Sequence, residues 1–218
     1  MIAMIGTHKL PFYESKTTMT THDEKTNSFT AEEQAEIDWF CAMHGSDVTA
    51  TDEDGRSLIH KAKYGDRTVI RFLVSRGADV RAKDKNDQIP LHLAAKCGNY
   101  SVNEKLVSKG ADIHAKDNAG NTPLHNAAYG GNDAIAELLI SHGADVHAKN
   151  NDGWTPLHSA TKDWTYGIQV AKLLVSHGAD VHAKDKNGKT PLDIARERNN
   201  PRVIEYLSGL SAVPENES

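Results

Sequence analysis

At 218 residues the chain is long enough for one domain or a small pair. Its 25 Lys and Arg face 30 Asp and Glu, a formal charge of −5, which argues against a generic electrostatic grip on nucleic acid. Two cysteines without C-x-x-C spacing exclude a disulfide framework and suit a reducing, cytoplasmic compartment. No N-terminal apolar run exceeds Met1 to Ile5, far below a membrane span, so no membrane insertion is expected. The 12 histidines invite a metal or acid–base reading.

Residues 1–28 are rich in Thr and Ser, carry both charges and show no period, the composition of a disordered leader. A helix follows from Thr30 to Gly45. Thr30-x-x-Glu33 has capping-box spacing, and Ile37, Phe40 and Cys41 supply a packing face.

Beyond it the chain repeats. Gly-Ala-Asp recurs at Gly77, Gly110, Gly143 and Gly178, in steps of 33, 33 and 35 residues, with a degenerate copy at Gly45. A second marker, Thr-Pro-Leu-His or a variant, ends at His60, His92, His125, His158 and Asp193 and keeps the same register. In the copy at Asn121 to Gly143, Thr122 is a good N-cap and Pro123 fits the first helical position. Leu124, Ala127 and Ala128 form a small apolar face that Gly130-Gly131 ends. Asp133 to His142 then carries Ile135, Leu138 and Leu139 at helical spacing. Ala144 to Gly153 holds Asp, Asn and Gly at turn positions and reads as a hairpin-like connector.

These units resemble ankyrin repeats, which combine a 33-residue period with T-P-L-H-x-A. The resemblance covers Thr30 to Gly209 and implies an all-α solenoid of stacked helix-turn-helix units with an N-terminal capping helix and a C-terminal capping repeat. The domain would run over 29–209, with the cap at 30–51 and repeats at 52–83, 84–116, 117–149, 150–184 and 185–209, leaving 210–218 as a flexible tail. Three departures stand out. Repeat one has Ser57-Leu58 for Thr-Pro and Lys63 for a core alanine, which predicts an irregular helix pair. Repeat two places Asn103 and Lys105 where repeat three has Ala136 and Leu138, which predicts a weak point in the stack. Repeat four holds two extra residues around Asp163-Trp164-Thr165-Tyr166.

The resemblance assigns His60, His92, His125 and His158 to the repeat framework, bonding the tight turn and the neighbouring repeat. His114, His147 and His182 lie one repeat apart, about 10 Å, too far to share a zinc ion whose ligands sit within about 4 Å of one another. His142 with His147, or His177 with His182, lacks a third ligand. The sequence has no G-x-S-x-G, no phosphate-binding loop and no H-E-x-x-H, so no enzyme activity, no metal and no cofactor are expected.

The family's concave surface, built from connector tips and first-helix ends, is where a protein partner of a monomeric adaptor is expected. Tip positions Arg56, Gln88, Asn121, Trp154 and Lys189 differ from copy to copy, whereas Lys83, Lys116, Lys149 and Lys184 recur beside Asp or Asn. Candidate partner-binding residues are Tyr64, Lys96, Tyr129, Trp154, Trp164, Tyr166, Lys116 and Lys149, because Trp and Tyr dominate binding hot spots. One or two of these aromatics could instead pack against their own turns. Repeats three and four are the expected centre of the face. The alternative function is an exported, host-directed effector, since the copies of Gly-Ala-Asp-Val-His-Ala-Lys resemble repeats of intracellular bacteria.

Overall fold

The computed structural model describes residues 29–64, 67–162 and 167–211. The expected leader 1–28, the repeat-four insertion with Trp164 and Tyr166, and residues 212–218 lie outside them. Among the described residues are α1 (Ala31–His44), α2 (Leu58–Lys61), α3 (Arg67–Ser75), α4 (Pro90–Cys97), α5 (Tyr100–Ser108), α6 (Pro123–Tyr129), α7 (Asp133–Ser141), α8 (Pro156–Ala160), α9 (Gly167–Ser176), α10 (Pro191–Glu197) and α11 (Pro201–Ser211). No strand occurs among them. The connectors are turns, with one isolated bridge between Thr51 and Ser57. None of the described helices is long and apolar enough to cross a membrane.

Each repeat pairs a first helix with a second, and equivalent helices stack. α2, α4, α6, α8 and α10 form one layer, and α3, α5, α7, α9 and α11 the other. α1 packs on α3 and so belongs to the second-helix layer, the place expected of an N-terminal cap. Its Thr30 and Glu33 form the reciprocal capping box, with Thr30 N–H to Glu33 Oε2 at 2.8 Å and Glu33 N–H to Thr30 Oγ1 at 3.2 Å. Ile37 and Phe40 are buried, whereas Cys41 is only partly so. Arg71 fastens the cap, reaching Glu33 at 2.9 Å and lying over the Phe29 ring.

The core follows the period. Val69, Val102, Ile135, Val170 and Val203 form one row through the second helices, and Leu73, Leu106, Leu139, Leu174 and Leu207 another; all are buried. Each such side chain contributes about 1.5–3 kcal/mol by leaving water. A third row, Ile70, Asn103, Ala136 and Ala171, is apolar except at Asn103. Asn103 Nδ2 donates to the Asn99 carbonyl at 2.7 Å, but its buried Oδ1 has no partner. Lys105, the other polar residue expected to weaken repeat two, is half-buried. Repeat one is irregular as anticipated: α2 lasts one turn and continues as a 3-10 turn over Ala62–Tyr64. At the other end α11 continues to Ser211, so residues 210 and 211 are helical and not the start of a flexible tail.

Candidate functional site

The site is built on a lattice of hydrogen bonds that joins each connector tip to the next. At every repeat start an Asp or Asn folds the turn around its own side chain. Asp117 Oδ1, for example, accepts the N–H groups of Ala119 and Asn121 at 3.0 and 2.8 Å. Asp52, Asp84, Asn150 and Asp185 do the same. Such Asx turns satisfy backbone donors that no helix or strand provides for. Neighbouring tips are linked through the backbone as well: Lys85, Asn118, Asn151 and Lys186 donate N–H to Asp54, Asn86, Ala119 and Asp152, all within 2.8–2.9 Å.

The framework histidines tie this lattice to the first helices. His125 Nδ1 is 3.2 Å from the Thr122 N–H and Nε2 is 2.9 Å from the Trp154 carbonyl. A carbonyl only accepts, so Nε2 carries the proton and Nδ1 is free to cap the helix. His60, His92 and His158 make the same pair of contacts, reaching the carbonyls of Gln88, Asn121 and Lys189. In the last repeat Asp193 takes over the capping half of the role, accepting from Thr190 N–H and Oγ1 at 2.9 and 2.7 Å. A carboxylate accepts at the cap but has no proton to pass onward. Burial lowers the pKa of all four imidazoles, and pushes His125 down from 6.5 to about 4 against the bond to Trp154.

The variable tip residues, expected to be free for recognition, reach sideways to the next Asp or Asn. Arg56 Nε donates to Asp84 at 3.2 Å and Gln88 Nε2 to Asp117 at 3.3 Å. Trp154 Nε1 donates to Asp185 at 3.2 Å. Asn121 reverses the direction: its Oδ1 accepts from Asn150 Nδ2 at 2.8 Å, and its own Nδ2 lies 3.4 Å from Asp117. The one Asn at a repeat start therefore sits where its neighbour offers an acceptor. Desolvation works against ionising Asp185, but the N–H groups of Lys189 and Asn187 and the Trp154 indole hold its pKa below the usual value.

Above this lattice runs a groove of about 410 Å³ between the tips and the first-helix ends. It gathers Lys96, Tyr129 and Trp154 from the sequence candidates and adds Lys162 and Arg198. Its floor is polar: the buried Asn126 donates to the His92 carbonyl at 3.1 Å, and Ser159 lies beside it. Tyr129 is 40% exposed, while Trp154 is half-buried and lies 6.1 Å from the His158 ring. The ammonium groups of Lys96 and Lys162 lie 4.9 and 4.7 Å from the Tyr129 centroid, and Lys162 is also 5.6 Å from Trp154.

The helix ends that carry these lysines are held by the following repeat. Asn132 Nδ2 donates to the carbonyls of Ala95 and Lys96 at 2.8 and 3.0 Å, and Asn200 Nδ2 to Thr161 at 3.3 Å. Gly130 passes so close to the end of α4 that a Cβ there would sit 2.5 Å from the Lys96 carbonyl oxygen. Only glycine fits, and the approach fixes Lys96 relative to Tyr129.

Two of the remaining candidates, Lys116 and Lys149, do not join this groove. Lys116 and Lys149 line a separate depression of about 290 Å³ and donate to the carbonyls of Lys149 and Lys184 at 3.1 and 3.2 Å. Tyr64 closes the 3-10 turn of repeat one. Of the loop histidines, His142 and His177 bond the carbonyls of Leu138 and Leu173 through Nδ1. Among the described residues no three His, Cys, Asp or Glu side chains converge. Lys162 was missed by sequence reasoning, although its spacing could have found it: Tyr64, Lys96, Tyr129, Lys162 and Glu197 are the same first-helix position in successive repeats.

Among curated proteins none matches the chain. The family model described as ankyrin repeats (3 copies) matches three times, over residues 31–117, 104–185 and 150–216. Period, helix pairing, the tip lattice and this match agree: the chain belongs to the ankyrin-repeat family.

Proposed function

We propose that the chain is an adaptor that binds a segment of a partner protein in the groove between repeats two and five, acting by recognition and without catalysis. Ankyrin repeats are general protein-interaction modules, and the chain shares that architecture. The observation that carries the reading is Tyr129, an aromatic ring left 40% exposed at the centre of the groove while its neighbours are fixed by hydrogen bonds to the framework. An exposed aromatic on a rigid platform offers a large contact area at little entropic cost. The buried imidazoles already serve the backbone, which supports recognition over catalysis in this groove.

Crosslinking capture from the native cell tests this reading. Tyr129→Ala should lower capture of a specific partner by about tenfold or more, the loss typical of a hot-spot aromatic. Because the ring is exposed, the variant should melt like the parent. Equal capture by both forms contradicts the proposal.

A further inference from the structure

We propose that the groove selects an extended acidic segment, two of whose carboxylates lie on the ammonium groups of Lys96 and Lys162 to either side of the Tyr129 ring. This names the partner chemistry of the groove and rests on its reading as a partner site.

The position four residues after each framework histidine, at or near the end of the first helix, alternates Tyr64, Lys96, Tyr129 and Lys162 through four repeats, so stacking brings one aromatic between two cations. Both ammonium groups lie within 5 Å of the Tyr129 centroid, which leaves them no more than about 10 Å apart. The negative face of the ring attracts each cation and holds it near the groove without a carboxylate partner. Among the described residues no carboxylate pairs with Lys96, Lys162 or Arg198. The acids nearby are otherwise engaged. Asp117 is filled by its own turn, Gln88 and Asn121, and Glu197 is held by Lys189 at 2.6 Å. Asp152 on the rim is the exception, and it disfavours a carboxylate placed over the tip instead of over the lysines.

On a chain of net charge −5, a groove with three cations that no described carboxylate pairs is a local reversal of sign. The two cations lie within about 10 Å of each other, and with a Debye length of about 8 Å at physiological salt one anionic segment can meet both. A carboxylate-bearing strand matches the spacing. Alternate residues of an extended chain share a face about 7 Å apart, and glutamate side chains splay to cover the rest. A peptide also presents side chains to Tyr129 and Trp154, which the groove places beside the lysines.

The probe is a labelled peptide of about 12 residues alternating Glu and Thr, with the Gln–Thr isostere and an oligouridine of equal charge as comparisons, read by anisotropy on the full chain. The Glu–Thr peptide should bind saturably, about tenfold more tightly than the isostere, and weaken as salt rises. Lys96→Gln with Lys162→Gln should abolish that preference, and Lys96→Arg with Lys162→Arg should retain it. Both lysines lie at helix ends, and matching thermal melts of the two double variants separate lost charge from lost fold. Equal binding of the isostere, an unchanged preference in the Gln variant, oligouridine bound as tightly as the peptide, or no saturation by about 1 mM each overturns the proposal. The groove reading fails separately. A captured partner that is lost with Tyr129→Ala and kept with the Lys→Gln pair leaves the groove standing and removes the acidic partner.

Discussion

His125 donates its Nε2 proton across a repeat boundary to the carbonyl of Trp154, 2.9 Å away, and its other nitrogen faces the Thr122 N–H. The ring can do both only while neutral. Protonation at Nδ1 sets N–H against N–H in a site where His125 is 1% exposed.

A definite pH dependence follows. Burial holds the folded-state pKa of His60, His92, His125 and His158 below 6.5, so in that range the unfolded chain binds protons that the folded chain refuses. The stabilisation is complete above 6.5 and is lost as pH falls toward about 4, the His125 value. For His125 alone this amounts to about 3 kcal/mol. Urea midpoints should therefore decline steadily from about pH 7 to about pH 5, above the range where carboxylates protonate. A midpoint that stays level across that interval contradicts the assignment of the neutral tautomer.

Asn150 supplies a second test. Replacing it with Asp places a carboxylate against Asn121 Oδ1, and Asn121 cannot turn its amide without presenting oxygen to Asp117. Asn150→Asp should destabilise the protein by about 1 kcal/mol. Adding Asn121→Gln should recover most of that loss, because Gln88 with Asp117 is the same pair one repeat earlier. Denaturation of the two singles and the double gives the coupling directly; additive losses show that the two side chains do not communicate.

Repeat two should be improvable at one atom. Asn103→Ala removes a buried oxygen with no partner, and the Asn99 carbonyl keeps its bond from the residue-103 backbone N–H at 3.1 Å. Ala136 and Ala171 occupy the same row in the following repeats, and both are fully buried. The expected gain is about 1 kcal/mol, with slower amide exchange in 84–116. A destabilised Asn103→Ala variant means that the Nδ2 bond outweighs the orphaned oxygen.

The helices, their pairing and the core rows were legible because periodicity reports which residues share a face, and every buried row keeps the repeat step of 33 residues, 35 across the repeat-four insertion. Lateral bonds were not legible in the same way. Spacing along the chain says that Trp154 and Asp185 sit at tips of adjacent repeats, but it does not say that the indole N–H turns toward the carboxylate. Trp154 therefore read as a free recognition residue, although its polar atom is committed to the framework and only its ring faces the groove. Lys116 and Lys149 read as tip residues beside the aromatics, whereas their flexible chains fold onto carbonyls of the next repeat. Tyr129 and Lys96 were recoverable because first-helix ends have few places to go.

The exchange of histidine for Asp193 gives the stack a sense of direction. Each of the first four framework histidines donates a hydrogen bond to the repeat after it, whereas Asp193 in the fifth repeat has no proton to donate. Cutting the chain after residue 184 would strip acceptors from His158 and Trp154 at once, whereas cutting before residue 84 leaves Asp84 still folded around its own turn. Stability therefore runs against the order of the chain: each of the first four repeats leans on the one that follows it.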